Sequence, residues 1–529
     1  MMSREIVEEE SRRITRAAGI VGIATFLSRI LGFVRDMVLA RFFGATQAAD
    51  AFFVAFRIPN LLRELFAEGS MSAAFIPVFT EYLTVKSKKE ALRVASVAFT
   101  LLLVALSIIV LLGIAVAPLI VMAIAPGFVP YPEKFSLTIE LTRIMFPYLL
   151  FIGLSAVAMG VLNSMRAFTS PALSPAMFNI IVIASIIIAS VSLDNPIIGV
   201  AVGVVIGGIF QFFFQLPSLR SRGINLQFVF DIRHPGIRRI GTLMLPSFFG
   251  LAIMQINIFV STILASYLAE GSVTYLYYGM RLIHFPLGIF GVALATAILP
   301  ALSEQVSRNE FAKMKETFSF GLRFVTSITV PAAVGLIVLR EPIVNLLFQR
   351  GKFDYIATVG TAEAVLFYSL GLWAFAGVRM VVSAFYSMQD TKTPVKAAAI
   401  AMIANIVLSI VLMFPLRHGG LALATSMASA INLGILIVVL RGRLGSIDGK
   451  NILKSLLKIT VSSFIMGIWG WQFLRGDIWM IEGHYTEKAL LLSVVLITSI
   501  GVYLLLLKVL KSEELSFLWR LVTRKRSDL

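Results

Sequence analysis

The sequence contains no cysteine, so neither a disulfide framework nor a thiolate-held metal is open to it. Histidine is nearly as scarce. The four present, His234, His284, His418 and His484, are scattered over loops and apolar stretches, so no metal site is expected. Charge is thin as well: Asp, Glu, Lys and Arg make up 14% of the 529 residues, against about 25% in an ordinary soluble domain. With 58% hydrophobic residues and a mean hydropathy of +0.90, a soluble fold is excluded. Also missing are a GxxxxGK[ST] phosphate loop, a CxxC pair, an HExxH helix and any soluble insert long enough for an ATPase. An enzyme or ATP-driven pump is therefore not expected, and no cofactor is. Energy for transport has to come from a gradient, the membrane potential or substrate turnover.

What is present is a succession of apolar stretches near the 20 residues needed to cross roughly 30 Å of hydrocarbon. They fall near residues 18–40, 48–67, 95–124, 137–161, 172–192, 196–216, 240–268, 273–301, 318–338, 358–386, 395–414, 419–440, 455–474 and 486–507. The expected fold is thus an all-α polytopic membrane protein of about fourteen transmembrane helices. The net charge of +17 does not point to nucleic acid, because the basic residues sit in short connectors between the apolar runs. Those connectors alternate. One set holds clusters such as Lys86 to Arg93, Arg220 to Arg239 and Arg441 to Lys458, whereas the other holds only Arg41, Lys134, Arg340, Arg350, Lys352, Arg417, Arg475 and Lys488. By the positive-inside rule the richer set is cytoplasmic, and an even number of spans puts both termini there. The mixed-charge start MMSREIVEEESRRITR is followed by no small-residue cleavage pattern and reads as a cytoplasmic tail rather than a removed signal peptide.

Two blocks of six spans look like copies. A shift of 223 residues lays Pro77 and Glu81 on Pro300 and Glu304, and also lays Ser164, Met165 and Pro171 on Ser387, Met388 and Pro394. A shift of 221 lays Leu219–Arg222 on Leu440–Arg443. An even-numbered repeat makes the two lobes parallel, the usual hardware of alternating access. The expected organisation is an N-terminal lobe at 1–222, a C-terminal lobe at 223–443, and two added spans with a tail at 444–529.

A charge inside a span costs about 2.5 to 3.5 kcal/mol on insertion scales, so each one needs a partner or a task. The first span holds Arg29, Arg35 and Asp36: Arg29 and Asp36 share a face, and Ser28, Gly32 and Arg35 line the adjacent stripe. An internal Arg–Asp pair explains Asp36 but leaves one arginine over. The second span carries Asp50, Arg57, Asn60, Arg63, Glu64 and Glu68, with Pro59 interrupting the backbone ladder. Glu64 reads as the charged end of the span. In the eighth span Tyr277, Arg281, His284 and Gly288 form one stripe, and no carboxylate within that span answers Arg281. His284 reads as a hydrogen-bonded core residue, and Arg143, Arg323 and Arg379 as snorkelling side chains at span ends. Arginine in excess of its carboxylates offers planar, permanently charged, bidentate donors, which suit a phosphate or pyrophosphate better than an amine.

The segments SRILGFVRD, RFFGATQAADAFFVAFRIPNLLRELFAEGSMSAAFIPVF, YYGMRLIHFP, GVALATAILPALS and FYSMQDTKTPV closely resemble the MurJ family of lipid II flippases, within the multidrug/oligosaccharidyl-lipid/polysaccharide exporter superfamily. The resemblance runs from about residue 20 to 440 and is most specific between Ser28 and Pro77. It implies a two-lobed transporter of the bacterial cytoplasmic (inner) membrane that moves the peptidoglycan precursor lipid II, an undecaprenyl-pyrophosphate-linked disaccharide peptide. The positions matching the family's functional arginines are Arg29, Arg35, Arg63 and Arg281, with Asp36, Asp50, Asn60 and Glu68 as polar partners. Membrane lipids and cell-wall synthesis proteins are the other partners the resemblance implies. The chain departs from the family in carrying Met280 and His284 beside the span 8 arginine, and in having no Asp or Glu from Gly241 to Leu268, which leaves ion coupling in doubt. Two rivals share the superfamily: a cation-coupled multidrug exporter, which wants cavity carboxylates, and an O-antigen or teichoic-type lipid-oligosaccharide flippase, which would use the same arginines.

Overall fold

The computed structural model describes residues 2–64, 70–474 and 476–516, and among them the regular structure is all helical. Two compact units divide at Tyr267 and Leu268. The first contains α1 (Met2–Phe43), α2 (Gln47–Arg63), α3 (Ser70–Glu81), α4 (Lys88–Ala115), α5 (Ala117–Ile124), α6 (Pro132–Met145), α7 (Tyr148–Ser164), α8 (Thr169–Ser192), α9 (Pro196–Phe213), α10 (Leu216–Arg220) and α11 (Pro235–Ser266). The second contains α12 (Ser272–Pro286), α13 (Ala293–Ser307), α14 (Phe311–Phe348), α15 (Tyr355–Ser369), α16 (Leu372–Ser387), α17 (Lys392–Leu444), α18 (Gly449–Phe473) and α19 (Tyr485–Val509). Among the described residues nine helices are long and apolar enough to cross a membrane, or ten if the bent pair α15 and α16 is one span. The charged helices α1 and α2 are not among the nine. Helix α17 is two helices joined at Arg417, whose φ of 48° and ψ of −130° break the ladder.

The repeat read from proline and polar matches recurs in the backbone. Helices starting at Ser70, Lys88, Pro132 and Thr169 have counterparts starting 223 residues later at Ala293, Phe311, Tyr355 and Lys392. Even the strained link is copied: Arg166 and Gln389, also 223 apart, both take positive φ, 58° and 59°. Helix α11 packs within the first unit although it opens the second copy of the repeat.

Local chemistry starts and stops these helices. Ser87 caps α4 by accepting from the Glu90 amide, with the acidic residue in the first turn as a capping box requires. Asp354 caps α15 by accepting from Ala357 N at 2.8 Å. Asp390 caps α17 and pairs with Arg443 at 2.6 Å; bonds from the Thr393 hydroxyl and amide, then the Arg443 guanidinium, hold its carboxyl down to about 2. In the first unit α8 and α9 approach through Gly199, Gly203 and Gly207, four residues apart on one face. A Cβ at Gly203 meets the Ser185 Cβ at 2.3 Å, so only glycine allows this approach.

The second unit holds a fully buried lysine. Lys488, at the start of α19, donates to Asn345 Oδ1 at 2.9 Å and to the Ile481 carbonyl at 2.6 Å, while the Asn345 amide donates to the Trp479 carbonyl at 2.7 Å. Together these bonds tie α19 and the turn before it to α14. A second tie lies at Arg323, which pairs with Glu513 at 2.7 Å and Glu514 at 3.2 Å and is an ion-paired residue, not the snorkelling one its position in the sequence implies. A hydrogen bond to a charged group contributes about 1.5 to 3 kcal/mol, and removing the neutral partner of a buried ammonium leaves that charge under-satisfied. Asn345→Leu should therefore lower the thermal unfolding temperature of the detergent-purified protein clearly, and Asn345→Leu with Lys488→Met should recover much of the loss. Equal losses in the single and double variants would show that the buried charge is not what Asn345 serves.

Candidate functional site

The polar residues of the first unit gather into three groups, each joining α1 or α2 to a helix remote in sequence. On α1, Arg35 Nη2 lies 2.7 Å and Nε 3.1 Å from Asp36 Oδ1, and Nη1 donates to Asn179 Oδ1 on α8 at 3.2 Å. The Asn179 amide in turn donates to the Ser28 carbonyl at 3.2 Å, which locks the α1–α8 register at this level. Asp36 is 1% exposed and Arg35 is largely buried, so this guanidinium is held in one orientation in a low-dielectric setting. The internal Arg–Asp pair expected on this helix is thus present, formed by Asp36 with its neighbour Arg35. Arg29 stands exposed on the same helix.

The second group sits at the start of α2, where Asp50, 1% exposed, takes a 2.9 Å ion pair from Lys134 on α6. The Lys134 ammonium also lies 4.0 Å from the centre of the Phe128 ring. Lys134 reads as a connector residue in the sequence but is buried here, and Asp50 is half of an interhelical lysine pair. Arg57 is half-buried.

The third group closes the end of α2. Arg63 Nε donates to Asn60 Oδ1 at 3.0 Å, Asn60 Nδ2 donates to Glu64 at 3.1 Å, and Gln255 on α11 donates to the other Glu64 oxygen. Glu64 is therefore a bridge from α2 to α11 rather than an idle end-of-span charge. Glu68 lies outside the described residues.

In the second unit Tyr277, Arg281 and His284 follow one another along α12, which ends at Pro286 and runs into a π-helical stretch, Leu287–Val292. Such a stretch, directly after a charged stripe, is a frequent mark of a functional segment. Tyr277 and Arg281 are half-buried, and Tyr277 packs edge-on to Tyr278 at 5.5 Å. His284 is exposed, so it is not the core histidine that a lone histidine in an apolar span implies. Asn179, Lys134 and Gln255 are the polar residues that sequence reasoning missed. Each lies in or beside an apolar run, without periodicity to mark it.

Comparison with known proteins places this arrangement in a family. The family model described as lipid II flippase MurJ matches residues 39–512. A probable lipid II flippase MurJ of Vibrio cholerae is 39% identical over 433 residues, covering 80% of this chain and 82% of its own. The lipid II flippase MurJ of Burkholderia cenocepacia is 36% identical over 432 residues, covering 81% and 84%. Among solved structures, a lipid II flippase MurJ in an inward closed conformation superposes with a TM-score of 0.78 at 29% identity, covering 93% of this chain and 98% of that one. An inward-facing multidrug resistance transporter of the MATE family shares the fold at 14% identity, with a TM-score of 0.66 over 80% of this chain and 96% of its own. The chain belongs to the lipid II flippase MurJ family and is a multi-pass protein of the bacterial inner membrane.

Proposed function

We propose that this chain carries lipid II across the cytoplasmic membrane by alternating access, without covalent chemistry of its own. The observation that carries the reading is the match to the lipid II flippase family over residues 39–512, together with the concentration of arginines on α1, α2 and α12. Asp36 is taken by Arg35 and Asp50 by Lys134, which leaves these two carboxylates committed within the protein. A cationic drug needs an uncommitted carboxylate, so this arrangement disfavours the multidrug-exporter reading. A pyrophosphate needs paired guanidinium donors, and Arg29, Arg35, Arg63 and Arg281 are the residues assigned to it. In this assignment Arg35 is pre-oriented by Asp36 and Asn179, exposed Arg29 supplies an adaptable donor, and Arg63 is aimed by Asn60. Ser28, Asp36, Asp50, Arg57, Asn60, Glu68, Tyr277 and His284 complete the polar support. A teichoic-type or O-antigen carrier lipid presents the same pyrophosphate, and the family match favours lipid II over it.

The proposed orientation puts both termini and the Arg220 to Arg239 connector in the cytoplasm, following the positive-inside rule. The return step draws on a gradient or the membrane potential. A carboxylate-held cation in α11 is not part of the proposal, since Gly241 to Leu268 holds no Asp or Glu.

Depletion complementation tests the function: a strain depleted of its own lipid II flippase should grow when it expresses this chain. Arg281→Ala should abolish rescue at equal protein level, and Arg281→Lys should restore little, because a point charge cannot supply two parallel hydrogen bonds. Growth of the Arg281→Ala strain at the parent rate would make Arg281 structural. Sidedness is tested in the naturally cysteine-free chain by Ser221→Cys, which should resist an impermeant thiol reagent in intact cells. Labelling from the periplasmic side would invert the topology.

A further inference from the structure

The segment between α10 and α11 is not a slack connector. From Ile224 to Asp231 it runs without regular secondary structure beside α4, and two α4 hydroxyls hold its backbone. Ser96 Oγ accepts from Gln227 N at 3.1 Å, and Thr100 Oγ1 accepts from Val229 N at 2.9 Å while donating to the Gln227 carbonyl. Ile224 and Leu226 turn into the core. Phe228, Phe230 and Ile232 turn out, with exposures of 69%, 58% and 60%, a row of large apolar side chains presented along an apolar transmembrane helix.

This strap ends in a cationic recess of about 340 Å³, lined by Lys86, Arg93, Arg233 and His234 together with Glu90 and Asp231. Asp231 is already committed, at 3.5 Å from Arg93 and accepting from the Arg233 amide at 3.1 Å. His234 is buried, and its Nδ1 accepts from Gly236 N at the start of α11, so the ring proton sits on Nε2. Burial, the largest influence, pushes the His234 imidazole below its usual range and keeps it a neutral donor. Across Glu81 to Arg93 and Asp231 to Arg239 the surface carries seven Lys and Arg against three carboxylates.

An apolar row beside an excess of cations, at the end of a membrane helix, has the chemistry of an interfacial lipid contact. We infer that the strap and recess form a binding site for one anionic phospholipid of the adjoining leaflet. Phe228, Phe230 and Ile232 lie among the upper acyl carbons, and Lys86, Arg93 and Arg233 take the phosphate. Occupancy then pins the α4–α11 junction at the membrane surface. That the leaflet is the cytoplasmic one rests on the orientation proposed above, whereas headgroup selectivity does not depend on it.

The test uses the full chain carrying Phe230→Cys with an environment-sensitive fluorophore, in nanodiscs of phosphatidylcholine and phosphatidylglycerol with either lipid brominated. The label should be quenched, and more strongly by brominated phosphatidylglycerol. Lys86→Gln and Arg233→Gln should each reduce that preference roughly fivefold, while quenching by brominated phosphatidylcholine persists and shows that the strap is still in place. Should a variant misfold, the parent protein serves: its preference should fall steeply with added salt. Equal quenching by both lipids, quenching by neither, or a preference indifferent to salt would overturn the site. Abolition of the preference by inorganic phosphate, but not by chloride at matched ionic strength, would also overturn it by making a soluble anion the ligand. Sidedness of Ser221→Cys reports separately on the leaflet.

Discussion

In a hydrocarbon setting a charged side chain is held by a partner or it is not held at all. An uncompensated ion there costs several kcal/mol, and this chain places arginines, a lysine and aspartates in or beside the helices that must cross. The way each charge is answered organises the first unit. Arg35 and Asp36 answer one another and reach to Asn179, which fixes α1 against α8; Asp50 and Lys134 fix α2 against α6; Glu64 fixes α2 against α11 through Gln255. Packing then fills in around these points, as where α9 presents Gly199, Gly203 and Gly207 to α8. The same rule holds in the second unit, where the ammonium of Lys488 is answered by neutral oxygens from α14 and the turn before α19.

That division bears on function. A guanidinium whose donors are partly engaged is rigid and presents its remaining edge in a fixed direction, whereas an exposed one adapts. Arg35 is of the first kind and Arg29 of the second. A carrier needs both, because a ligand gripped equally in every state is never released. Asp36 and Asp50 are engaged by Arg35 and Lys134 within the protein, the arrangement that the proposed anion carrier calls for.

Much of this was legible in the sequence. The membrane class, an internal repeat and the polar sectors of α1, α2 and α12 follow from hydropathy, spacing and a constant 223-residue offset, and four helix starts and the matched positive φ at Arg166 and Gln389 keep that offset. What could not be read was which charge meets which. Helical periodicity names residues that share a face on one helix, so it could not say what answers Asp36 or Asp50. The partners found were an adjacent residue on α1 and a lysine on α6. Asn179, Lys134 and Gln255 are polar residues 144, 84 and 191 positions from the groups they serve, and no local pattern marks them. Arg323 misled for the same reason, since its glutamates come from the far end of the chain.

The central claim is that arginines, and not shape or the lipid tail alone, hold the cargo through its pyrophosphate. Binding of undecaprenyl pyrophosphate and undecaprenyl monophosphate to the detergent-purified protein, followed by native mass spectrometry, tests it most directly. The account predicts preference for the pyrophosphate, and a loss of roughly tenfold or more when Arg29 or Arg281 becomes alanine, as expected for one charge-assisted hydrogen-bonded contact. Equal affinity for the two lipids, or pyrophosphate binding unchanged in both variants, would contradict it.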